Sequence, residues 1–139
     1  MVSFIWSTFS SQTTGISAQS ITAGSNYIGS VIDNSLNKYT EASIDILLNF
    51  SVAPVTNTIM EVYLIYSIDG TNYERGDAST DPLKNPIACM PVANATGDQR
   101  MTFTGIKLMP LKFKVLLKSE HDQTATATAL LYAGSLAVN

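Results

Sequence analysis

The chain has 139 residues, enough for one domain with a real core, and 45% of them are hydrophobic, which excludes global disorder. Only 14% are charged, against about a quarter in ordinary soluble domains, so the surface must be covered by Ser, Thr, Asn and Gln or by a partner. Net charge is −3 and the eight Lys and Arg residues are scattered, which argues against nucleic acid, whose phosphates demand clustered positive charge.

No stretch reaches the ~18 apolar residues of a membrane helix, so no membrane partner is expected. The opening MVSFIWSTF is apolar but has no basic residue ahead of it, unlike a secretory leader. The expected place of the chain is a cytoplasm, or something assembled there.

The first 32 residues contain no charged side chain. A free tail in water usually carries charge, whereas this one opens with Phe4, Ile5, Trp6 and Phe9. Two readings stand: an arm whose four apolar anchors pack on a partner, or an edge strand of the chain's own domain. The expected division is therefore 1–16 as a neutral N-terminal arm or edge strand and 17–139 as a β-sandwich domain. ISAQSITAGS and YIGSVID read as the first, weaker strands.

Beyond them the dominant period is two. In ASIDILLNF, Ile44, Ile46, Leu48 and Phe50 share one face and Ser43, Asp45 and Asn49 the other, a half-buried strand. MEVYLIYSI is apolar on both faces, with Val62, Leu64, Tyr66 and Ile68 opposite Tyr63 and Ile65. It reads as a central strand, or as one covered by another subunit. Next come the turn dipeptide Asp69-Gly70 and a long polar loop. A strand over 87–93 is confined to an edge by Pro86 and Pro91.

In RMTFTGIKL the apolar parity slips: Met101 and Phe103 lie on one side, Ile106 and Leu108 on the other. One extra residue near Gly105, a bulge, restores a common face. LKFKVLLK puts Leu111, Phe113, Val115 and Leu117 inward, with Lys112, Lys114 and Lys118 on a solvated face. The last strand, TATATALLYA, turns Ala125, Ala127, Ala129, Leu131 and Ala133 to one side. The sum is all-β: an antiparallel β-sandwich, jelly-roll-like, of about eight strands.

The chain offers little chemistry. Asp69 is followed at once by Gly70 and Thr71, which fits a tight turn and not the alternating acids of a calcium loop. No metal and no cofactor is expected. The single histidine, His121, falls in the polar turn SEHDQ and is expected to be exposed; the single cysteine, Cys89, lies between apolar neighbours and is expected to be buried. No nucleophile elbow, phosphate loop or metal-ligand cluster occurs, so no catalytic residue is assigned and an enzyme is not expected. The tyrosines, together with Trp6, read as strand residues sooner than as a sugar-stacking platform.

From about residue 30 to the end the chain resembles small β-sandwich virion proteins of tailed bacteriophages, of the capsid decoration or cement type. The stretches that carry the likeness are VIDNS, ASIDILLNF, APVTNTIMEVYLIYSIDGTNYE and GIKLMPLKFKVLLKS, followed by the Thr/Ala strand. Within them a Ser-x-Asp-Gly-x-x-Tyr turn is formed by Ser67, Asp69, Gly70 and Tyr73, and Pro110 precedes the Phe113 strand. The neutral N-terminus is longer than such a sandwich needs. The resemblance implies a β-sandwich that decorates or cements the capsid or sits in the tail or head–tail region; the expected role is a non-enzymatic protein of the capsid surface, bound to the major capsid protein as a homotrimer and assembled in the host cytoplasm. The alternative it leaves open is a tail or head–tail module that recognises cell-surface carbohydrate.

Overall fold

The computed structural model describes residues 4–6, 12–55 and 59–138, and its regular elements are all strands. In chain order they are β1 (Phe4–Trp6), β2 (Thr13–Ile21), β3 (Asn26–Ile28), β4 (Ile32–Asp33), β5 (Glu41–Phe50), β6 (Ile59–Ser67), β7 (Ala88–Pro91), β8 (Gly97–Lys107), β9 (Lys112–Ser119), β10 (Ala125–Gly134) and β11 (Leu136–Val138).

Two antiparallel sheets face each other, one in the order β2-β10-β5-β8 and the other in the order β3-β9-β6-β7, with β4 also on β9. The pairing is nested. β6 pairs with β7, β5 with β8, β3 and β4 with β9, and β2 with β10. A long hairpin rolled up in this way, its successive turns shared between two sheets, is a jelly roll. β3 and β4 are two pieces of one interrupted strand, because both lie on β9 with a one-residue slip between Ile28↔Leu116 and Ile32↔Phe113.

The alternating patterns land as the period requires. Ile44, Ile46, Leu48 and Phe50 of β5 are at most 1% exposed, as are Phe113, Val115 and Leu117 of β9 and Ala125, Ala127 and Ala129 of β10. Each large side chain buried there contributes about 1.5–3 kcal/mol. The bulge in β8 is present: Ala42 pairs with Ile106 but Ile44 with Phe103, so one extra residue is accommodated, and Gly105 sits there at φ +68°. Phe103 and Ile106 consequently both pack on the core.

β6 is central, between β9 and β7, and its second apolar face is covered by its own chain. Tyr63, Ile65 and Leu116 form a small outer cluster closed by Ile28 and Tyr73. The segment after β6 is fastened over them: Lys114 Nζ stands 4.4 Å from the Tyr73 ring centre, and Lys118 Nζ is 3.2 Å from Asp81. Two of the three lysines expected to be solvated therefore hold a loop in place.

Three expectations are overturned. Ile68 is not on the core face but 90% exposed. β6 ends at Ser67, whose hydroxyl donates to Asp69 Oδ1 at 3.0 Å, so the turn begins a residue earlier than the apolar run suggests. Cys89 is exposed, because in the short edge strand β7 its neighbour Met90 takes the inward position at 2% exposure. His121 is buried at 2% exposure, its ring edge-on to Phe50 with centroids 5.0 Å apart.

Candidate functional site

Three turns meet at one end of the sandwich: 34–40 between β4 and β5, 68–74 after β6, and 108–111 between β8 and β9. Local chemistry fixes each. Asn34, 3% exposed, donates from Nδ2 to the carbonyls of Tyr39 at 2.9 Å and Met109 at 2.8 Å, and its Oδ1 accepts from the Tyr39 amide at 2.9 Å. One amide side chain thus closes its own turn and ties it to the β8–β9 turn.

Asp69 organises the second turn. Its Oδ1 accepts from the amides of Thr71 at 2.8 Å and Asn72 at 2.7 Å, and its Oδ2 from Asn72 Nδ2 at 2.6 Å. The Asn72 and Thr71 amides, with the Asn72 side chain, hold the Asp69 carboxyl well below the usual carboxylate range. Gly70 follows at φ +77°, a conformation that side chains with a Cβ rarely adopt. Since both carboxylate oxygens already bind donors of this chain, the turn reading of this stretch accounts for Asp69 without a cation.

These rigid turns present apolar tips. Leu36 is 84% exposed, Ile68 90% and Met109 45%. Between the turns lies a depression of about 190 Å³ lined by Ser35, Ser67, Ile68, Gly70, Pro110 and Lys112, among others. Asp33 and Lys112 stand 4.0 Å apart at its margin. The Ser35 hydroxyl and amide lower the Asp33 carboxyl below its ordinary value, so it stays ionised beside the lysine.

The chain ends leave from this same end. β2 starts at Thr13 opposite Leu131, and β10 finishes at Gly134 opposite Glu41, the first residue of β5. Immediately beyond, β11 pairs with β1 in a separate two-stranded ribbon, with Phe4↔Val138, Ile5↔Ala137 and Trp6↔Leu136 in register. Three of the four proposed anchors, Phe4, Ile5 and Trp6, thus lie together on one strand of that ribbon; Phe9 falls outside the described residues. β2 runs across the expected boundary at residue 16, and Ile16 is 2% exposed in the core. β2 begins at Thr13, so residues 13–16 belong to the sandwich.

At the opposite end, Ser119 Oγ lies 3.2 Å from His121 Nδ1. The pair has the makings of a nucleophile and its base, but Ser119 is 0% exposed and His121 2%, so no substrate reaches it. The tyrosines are also engaged: Tyr63 and Tyr66 are buried, and the Tyr73 ring carries the Lys114 ammonium. Among the described residues no group of three or more His, Cys, Asp or Glu is placed to hold a metal ion. The exposed tips at 36, 68 and 109 escaped sequence reasoning. The available signal was an apolar residue inside each polar turn.

No protein-family model matches the sequence, and no curated protein is significantly similar to it. Solved structures with a related course of the chain include the Yersinia pseudotuberculosis-derived mitogen, with 15% identity over 90% of this chain and 84% of that one and a TM-score of 0.34. A chain of infectious bursal disease virus, Gx strain, has 17% identity and a TM-score of 0.45; the match covers 97% of this chain but 32% of that one. A chain of the Kashmir bee virus empty particle at acidic pH has 9% identity over 92% and 75%, with a TM-score of 0.36. The jelly-roll assignment rests on the nested strand pairing and not on these likenesses.

Proposed function

We propose that the chain is a non-enzymatic structural protein of a virion that decorates or cements a capsid, binding the major capsid protein lattice as a homotrimer. The observation that carries this reading is the composition of one end of the jelly roll. There β10, which leads into the uncharged β1–β11 ribbon with Phe4, Ile5 and Trp6, finishes at the same end of the sandwich as the exposed Leu36, Ile68 and Met109. A lone two-stranded ribbon is marginal in water, and it gains from a surface to lie on. Large aromatic anchors dominate binding energy in interfaces, and interface cores are depleted in charge. Burial contributes about 25 cal/mol per Å² of apolar surface, and the copies bound across a shell multiply a modest contact. The resemblance of residues 30–139 to decoration proteins points to the same role.

The test is a truncation beginning at Gln12, measured twice. Thermal melting of the free protein is expected to be almost unchanged, because the sandwich starts at β2. Binding to particles that lack the protein is expected to be lost, and Trp6→Ala alone is expected to weaken it. Collapse of the free protein's melting transition would show that the segment belongs to the domain core and not to an attachment arm.

A further inference from the structure

His121 is the only histidine of the chain and lies in the β9–β10 turn, at the end opposite the ribbon. Its Nδ1 stands 2.6 Å from the Gln123 carbonyl oxygen. That oxygen can only accept, so Nδ1 carries the proton and Nε2 is left as a bare acceptor. Nε2 is buried and has no hydrogen-bond partner among the described residues. Adding a proton there creates a charged donor with no acceptor among the described residues, beside the ring of Phe50.

The turn that holds this ring also binds Val55, after β5, and Ile59, the first residue of β6. Asp122 Oδ1 accepts from the Val55 amide at 3.0 Å, and the Glu120 amide donates to the Ile59 carbonyl at 2.9 Å. We infer that His121 is an acid-operated latch: protonation of its imidazole expels the ring, opens the β9–β10 turn and releases Val55 and Ile59, which the turn clasps.

The charged surroundings do not cancel this. Burial sets the pKa below the ordinary value; the Gln123 carbonyl and, less, the Asp122 charge favour the protonated form, but burial outweighs them. Glu120 is taken up by Lys118 at 3.0 Å, and Asp98, at the start of β8, by Asn49 Nδ2 at 2.6 Å. Residues 50–60 contain no titratable side chain, and Phe50, Ser119 and Gln123, which touch the ring, do not titrate near neutrality.

The sign follows from linkage. The folded pKa lies below the unfolded value of about 6.5, so the contribution to stability is complete above about 6.5. It falls as the pH drops from there to the folded pKa, with the opening constant rising up to about tenfold per pH unit in that window.

The experiment is hydrogen exchange of the full chain between pH 7.5 and 5.0, corrected for intrinsic rates, with an NMR titration of the imidazole. Exchange at Val55 and Glu120 is expected to rise on acidification while the β5 and β9 ladders stay protected. The rise is expected to vanish in His121→Phe and His121→Gln, two variants that remove the titration but differ in polarity. If either variant fails to fold, the other and the wild-type titration still decide. An imidazole that titrates at or above about 6.5 in the folded protein, or opening that persists in a folded variant, overturns the inference.

Discussion

Gly29→Ala tests a close approach of the segment between β3 and β4 to β2. A Cβ at Gly29 would sit 2.0 Å from the Gly15 carbonyl oxygen and 3.0 Å from Ile16 Cγ1, where ordinary contact begins at 3.4 Å. The oxygen belongs to the backbone, so no rotamer change relieves the clash, and one segment must retreat by about 1.4 Å, the difference between 3.4 and 2.0 Å. Both segments are pinned. The Gly29 amide donates to the Val115 carbonyl at 2.8 Å, and Gly15 lies between Thr14 and Ile16, which pair with Leu130 and Ala129. Overpacking of this kind costs up to about 3 kcal/mol, a large part of a typical stability of about 5–15 kcal/mol. With a urea slope of about 2 kcal/mol per M, the unfolding midpoint falls by roughly 1.5 M. Gly24→Ala is the control, since Gly24 has φ +67° but open space around it; its cost is the left-handed backbone alone, about 1 kcal/mol. A Gly29→Ala midpoint equal to or above that of Gly24→Ala would refute the reasoning.

Phe113→Asp is expected to abolish folding, because it buries an unpaired charge at a position 1% exposed; a soluble, cooperatively melting variant would show that the faces of β9 are misassigned. Asp69 is expected to supply an acid limb of stability. Its folded pKa is depressed, so its contribution is present above about 3.9 and fades as the pH falls below that value. In urea melts below pH 4, Asp69→Asn should flatten that limb, and an unchanged limb would assign it to other carboxylates.

What could be read in advance was the local part. Period-two patterns in β5, β9 and β10 place inward residues without knowledge of partners, and the parity slip around Gly105 locates a bulge because a face must stay common. Proline placed β7 at an edge for a similarly local reason, its missing amide donor. The illegible part was relational. His121 sits among polar neighbours, yet the turn folds its ring onto Phe50, some seventy positions earlier in the chain. Cys89 looked buried by its neighbours, but four residues of strand are too few for alternation to show which side faces in. Ile68 continued an apolar run, and only the Asp69 hydrogen bonds reveal where the strand stops. For the candidate site, the uncharged apolar stretch with Phe4, Ile5 and Trp6 was legible by composition. The exposed turn tips were not, because the proximity of the three turns depends on nested pairing between distant strands.

Whether this jelly roll is a repeated part of a capsid surface is decided by the copy number of the chain in purified virions, measured by quantitative mass spectrometry against the major capsid protein. A capsid-surface protein is expected in a fixed proportion on the scale of the shell lattice, and deletion of residues 1–11 is expected to remove it from the particles. A handful of copies per particle would place the chain at the tail or head–tail junction, and its absence from particles would contradict a virion role altogether.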